Sequence, residues 1–222
     1  MPFQNLPNWV QLGAFFLAVN AGMINVLGLM TVLHQAISHM TGNVSLLAIS
    51  LVQGNADTLL YALAIIISYV LGSMYSGLIL ANSHFRLGRR YGIPLSLVAF
   101  FIVLCWWFLP YWPRYALLWA AVAMGLQNAM VSHYQGAIIR TTHLSGVLTD
   151  LGLALGYFLR GLNVGRRRVM LHLLILFGFL GGGIIASWIY PLLQSDALLV
   201  PAALSLVMSL VYWLIYWYYR HT

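Results

Sequence analysis

The sequence predicts an all-α integral membrane fold, with six transmembrane helices plus two short re-entrant half-helices arranged as two inverted repeats. Three observations predict it: the composition, the lengths of the apolar segments, and a motif that occurs twice. Hydrophobic residues make up 62% of the 222 residues and charged residues only 6%. A water-soluble domain needs roughly 25% charged residues to hydrate its surface, so most of this surface must face lipid. No stretch is long enough for a separate soluble domain. Residues 1–222 therefore read as one membrane domain, with repeat one at about 9–110 and repeat two at about 115–219.

Eight apolar segments can be drawn: Trp9–Met30, Gly42–Val52, Leu59–Leu80, Ile93–Leu109, Tyr115–Val131, Val147–Leu159, Val169–Ile189 and Leu198–Tyr218. The second and sixth are too short to cross a hydrocarbon core of ~30 Å comfortably, and fit half-helices that enter and turn back. Aromatic residues mark the water boundaries at Tyr111 and Trp112, at Trp188 and Tyr190, and along Tyr212–Tyr219. Pro110, Pro113, Pro191 and Pro201 fall near segment ends, where a missing N–H costs least. The spacings Gly152/Gly156 and Gly178/Gly182 predict close helix packing. Met1–Asn8 has no basic region and no small-residue cleavage site, so the first apolar segment is expected to be retained.

The run from His39 to Leu51 aligns with the run from His143 to Leu155: four of thirteen positions are identical and seven more are conservative. Asn43/Val147 and Leu46/Asp150 break the match. Upstream, Gly22–Asn25 pairs with Gly125–Asn128 at nearly the same offset. All ten basic residues are arginine. If the two short segments are re-entrant, each half has three spans and the halves are inverted. The basic loops Arg86–Arg90 and Arg160–Arg168, with Arg140 and Arg220, then lie on one side, and only Arg114 lies on the other. Arginine collects on the cytoplasmic side. The chain is therefore expected to be a multi-pass protein of the cell inner (plasma) membrane with both termini cytoplasmic. The same distribution argues against a nucleic-acid partner, since the charge sits in loops between spans.

A helix that begins near mid-membrane aims unpaired N–H groups and a positive dipole end into the bilayer centre. Thr41 and Ser145 are expected to cap the two short helices, and Gly42 and Gly146 to allow close approach of a solute or of the opposing half. His39 and His143 occupy equivalent positions and should share one polar site. Asn43 follows the first motif. Asn25, Gln127 and Asn128 are amides inside apolar spans, able to line a pathway or to bond between helices. Arg140 and Asp150 flank the second short segment with opposite charges, and ionisable groups at such depth are functional suspects. These twelve residues form the candidate substrate-binding set.

No cofactor motif is present. His34, His39, His133 and His143 lack the close spacing of a zinc site, and the single Cys105 pairs with nothing. No catalytic constellation is recognisable, so the protein is not expected to be an enzyme.

The runs Ser38-His-Met-Thr-Gly-Asn43, Gly125-Leu-Gln-Asn-Ala129 and Thr141-Thr-His-Leu-Ser-Gly146 carry a resemblance to the YoaK-like family of bacterial membrane proteins, domain of unknown function 1275. It covers roughly Gly13 to the C-terminus. The resemblance implies a multi-pass inner-membrane location and supplies no substrate. Such proteins often carry an acidic residue near the position of Asn25, which this chain lacks.

Inverted repeats with interrupted helices recur in channels and secondary transporters. The expected function is a small-solute transporter or channel in the lipid bilayer, with an anion favoured by the two helix N-termini. The alternative is a non-transporting accessory or structural membrane subunit. Either is compatible with a homo-oligomer.

Overall fold

The computed structural model describes residues 8–31, 34, 36–80, 91–133 and 141–221. Among these, all regular structure is helical: α1 (Asn8–Met30), α2 (Met40–Gln53), α3 (Ala56–Leu80), α4 (Gly92–Phe108), α5 (Pro113–His133), α6 (Leu144–Leu159), α7 (Arg166–Leu193) and α8 (Leu199–His221), with a 3-10 turn at Gln194–Leu198 before α8. The basic loop Arg86–Arg90 lies outside the described residues.

Helices α1, α3 and α5 and the stretch Arg166–Tyr218 are long and apolar enough to cross a membrane. That last stretch has 53 residues, which as one rod would reach about 80 Å, far beyond a ~30 Å hydrocarbon core. The 3-10 turn divides it into α7 and α8. Helix α4, of 17 residues, reaches about 26 Å. The short helices α2 and α6, of 14 and 16 residues, reach only about 21 and 24 Å.

Local sequence accounts for the connections. Gly54 ends α2 in the left-handed region (φ 66°), which a Cβ would penalise, and the next residue, Asn55, accepts the N–H of Thr58 at 3.1 Å to start α3. Gly161 does the same for α6 (φ 72°), with Leu162 N–H bonded back to Tyr157 O at 2.9 Å. Arg166, Arg167 and Arg168, expected in a loop, form the first turn of α7 after Gly165. Pro191 falls inside α7 close to its C-terminal end, near a segment end as expected.

Helix α1 packs on α7, and α3 packs on α5. Glycine makes both crossings possible. A Cβ on Gly22 would strike the backbone oxygen of Phe179, and one on Gly182 that of Val19. In the other pair, a Cβ on Gly125 would strike the oxygen of Tyr69, and one on Gly72 that of Val122. The same contact is thus made twice, each time between a helix of one half and a helix of the other. Gly178 also faces α1 closely, as its spacing predicts. Gly152 and Gly156 have open space where a Cβ would stand, so among the described residues they pack closely against no second helix.

Helix α5 is the most enclosed. Ala116, Leu117 and every residue of the run 120–127 are buried, and the main apolar core wraps around them with Ile24, Ile65 and Ile102. Helix α4 closes against α5 and α8. There Ser96 and Ser209 hydroxyls bond at 2.7 Å, and the Trp213 ring lies against Gly92. The short helices sit at the rim. Helix α2 lies on α3 and α6 on α7; α6 buries Val147 alone.

Candidate functional site

The two short helices begin in nearly the same conformation. Their N-cap residues are His39 (φ −85°, ψ 69°) and His143 (φ −90°, ψ 63°). Each accepts the N–H of the residue four positions on, Asn43 and Val147, at 3.2 Å. Neither imidazole makes a side-chain cap bond. Thr41 and Ser145 are therefore not the caps that the sequence predicts. They lie inside the first turn, where their carbonyls accept Ser45 Oγ at 3.0 Å and Thr149 Oγ1 at 2.9 Å. Gly42 and Gly146 are likewise reassigned. A Cβ on either would collide first with the ring of its own histidine, three residues earlier. The glycines leave room for an imidazole folded back over the helix start, rather than for the opposing half.

Both helix starts line one cavity of about 520 Å³. Ser38, His39 and Thr41 come from the first, and Thr142, His143 and Ser145 from the second. Asn25, Tyr69, Asn128 and Ser132 complete its polar wall, and no carboxylate is among the lining residues. His39 and His143 thus line one cavity, whose wall mixes polar and apolar groups.

Two asparagines hold the segments that lead into the helices. Asn25 gives its amide N–H to Ser38 Oγ at 2.6 Å and to Ala21 O at 3.0 Å, while its Oδ1 accepts the Ser38 N–H at 2.8 Å. Asn128 donates to Tyr69 Oη at 2.8 Å and its Oδ1 accepts from Thr141 Oγ1 at 3.4 Å. Both links span 13 residues. An Asn followed thirteen positions later by Ser or Thr was the readable sign of the anchoring role of Ser38 and Thr141. Tyr69 carried no such sign, because its position depends on the α3–α5 crossing.

Other residues of the expected set lie elsewhere. Gln127 is fully enclosed between α1 and α5. It donates to Leu17 O at 2.9 Å and accepts from Asn20 Nδ2 at 2.9 Å. The sequence does not mark Asn20, because a single amide in an apolar run looks the same on any face. Asn43 is buried and does not line the cavity. Asp150 faces α7, with Oδ1 2.9 Å from Arg168 Nη2 and Oδ2 3.5 Å from His172 Nε2. It lines a second cavity, of about 590 Å³, between α6 and the start of α7. Arg140 lies outside the described residues.

The arrangement can do three things chemically. It can offer first-turn N–H groups with no side-chain cap, present imidazole and hydroxyl groups that donate or accept, and exclude acidic groups from the lining. A pocket of this kind suits a small solute rich in hydrogen-bond acceptors. The sequence matches the family described as protein of unknown function (DUF1275) over residues 13–211. Comparison with curated proteins and with solved structures gives no match.

Proposed function

The chain belongs to the DUF1275 family of proteins of unknown function, and from that premise we propose that it is an inner-membrane transporter or channel for a small anion. In this reading α1, α3, α4, α5, α7 and α8 cross the bilayer. Helices α2 and α6 enter partway, and the two halves are inverted with both termini cytoplasmic. The doubled glycine crossing supports a two-fold relation between the halves, and the arginine distribution supports its inversion. A two-fold axis in the membrane plane that exchanges α1 with α5 and α3 with α7 also exchanges the α1–α7 contact with the α5–α3 contact.

The observation that carries the function is the shared cavity. Two helix starts without side-chain caps line the same space, and the lining contains no carboxylate. Positive dipole ends and N–H donors at that depth favour a negative or strongly accepting solute. The position of Asp150 supports the same sign, since its carboxylate is turned to Arg168 and away from this cavity. No bond-making step is assigned to the site, and the protein is read as a conduit rather than an enzyme.

The test is flux into proteoliposomes across small anions, cations and neutral solutes. Anion flux should fall in His39→Ala, His143→Ala and Arg140→Gln and persist in Asp150→Asn. Cation flux that depends on Asp150 and ignores Arg140 would reverse the sign of the proposal. Absence of any flux would favour the accessory-subunit reading, to which the fully packed core around α5 also lends itself.

A further inference from the structure

The second cavity plays no part in the transport reading. Arg166, Arg167 and Arg168 of α7 face Asp150, Leu153 and Tyr157 of α6 across it. The lining thus includes three arginines and a single carboxylate, Asp150, which Arg168 engages at 2.9 Å. The lining carries a net positive charge with His172 neutral. Guanidinium forks match phosphate oxygens in shape as well as in charge. The first turn of α7 holds no acidic residue to oppose an incoming anion.

Beside Asn163 and His172, apolar groups complete the setting. Leu153, Ala154 and Val164 line the same cavity, and beyond it α6 exposes Phe158 and Leu159 at 70% and 75%. The fold itself does not require any of this. In the first half, the α2–α3 connection is the tight Gly54–Asn55 turn followed by Asp57, without a basic residue. Aligned on the crossing glycines Gly72 and Gly182, His172 corresponds to Ala62 and Arg168 to Thr58, while Asp150 matches Leu46 in the repeated motif.

We propose that the α6–α7 cavity binds the phosphate group of an anionic phospholipid, with an acyl chain lying along the exposed face of α6. A lipid there would clamp α6 onto α7. That is the helix with least packing of its own, since Val147 is its one buried residue. Basic pockets between membrane helices on the cytoplasmic side are suited to such headgroups. The site stands whether or not the protein carries a solute.

The experiment is thermal unfolding of the purified full chain in detergent, titrated with phosphatidylglycerol, phosphatidylcholine or inorganic phosphate. Phosphatidylglycerol should raise the midpoint and phosphatidylcholine should not. The Arg166→Gln/Arg167→Gln double variant should weaken phosphatidylglycerol binding roughly thirtyfold, and Arg166→Gln alone about fivefold. The single variant alters an exposed position and serves as the test if the double variant does not fold. Equal shifts with both lipids, or an undiminished response in the arginine variants, would overturn the site. A response to inorganic phosphate as large as that to the lipid would overturn the lipid source and leave a free phosphate as the ligand. None of these outcomes bears on solute flux, so the site and the transport reading succeed or fail separately.

Discussion

Gly125 on α5 meets the carbonyl oxygen of Tyr69 on α3 so closely that a methyl group has no place between them. The obstacle is backbone, not the end of a flexible side chain, so it cannot swing away. Gly125→Ala should cost about 1–3 kcal/mol, the usual penalty for overfilling a packed site. Gly22→Ala should behave alike against Phe179. Gly152→Ala, with open space around it, should be neutral or slightly stabilising. Thermal midpoints in detergent distinguish the three, and a tolerated Gly125→Ala would mean that the helices do not approach this closely.

At Gly42 and Gly146 the colliding group is instead an imidazole. Alanine there displaces a side chain, which can rotate out. Both variants should remain folded, with midpoints close to wild type, while anion flux drops because the rings leave their positions at the cavity wall. Equal flux in wild type and in Gly42→Ala would detach the ring geometry from transport.

Asn20 Nδ2 donates to Gln127 Oε1 where water cannot replace either group, while Asn20 Oδ1 has no partner among the described residues. Asn20→Ala should cost about 1–3 kcal/mol, because it strands the Gln127 carbonyl in an apolar interior. The double replacement by leucine should recover much of the loss. A double variant worse than the sum of the singles would contradict this account.

The ion pair between Asp150 and Arg168 is part-exposed on both sides, at 34% and 47%. Solvent screening limits such pairs to about 0.2–1 kcal/mol. A double-mutant cycle with Asp150→Asn and Arg168→Gln should return a coupling in that range, shrinking as salt is added. A coupling of several kcal/mol would require a far drier site than the one observed.

Orientation can be read by cysteine labelling. Cys105 is buried in the apolar core beside α5, so Cys105→Ala gives a background that introduces no hydroxyl there. Single cysteines at Asn55, Arg114 and Ser195 should react with an impermeant reagent applied to sealed cells, and one at Gly165 should not. The Arg114 site has a partner, Asp57 at 2.8 Å, so its substitution removes one ion pair at the expected outer boundary. Labelling of Gly165 from outside would reverse the proposed topology.

Much of the helical layout was legible in one dimension. Apolar run length marks a helix whichever neighbour it meets, so α1, α3 and α5 could be placed to within a few residues. The start of α7 could not. Three arginines resemble a loop to any hydropathy measure, yet arginine is a good helix former with a stem that tolerates an apolar surround. The repeat of His39–Leu51 at His143–Leu155 foretold that both histidines would share a cavity, because equivalent motifs fold into equivalent starts. It also misled, since Thr41 and Ser145 look like caps by residue type. Cap position depends on where the backbone leaves helical angles, and the imidazoles occupy that place. Tyr69, Asn20 and the separate pairing of Asp150 were invisible, because each is decided by which helices meet, and their partners lie 59, 107 and 18 residues away along the chain.

That pairing also fixes an order of events during synthesis. The glycine face of α1 closes on α7, and Gly182 reaches Val19 across roughly 160 residues of chain. At about 5–20 residues per second, α1 must wait on the order of 8–30 s in the bilayer before its mate is made. During that interval its small-residue stripe is open to other helices, including a second copy of itself. A chain that stops before α7 should therefore be degraded rather than accumulate as a half-sized protein.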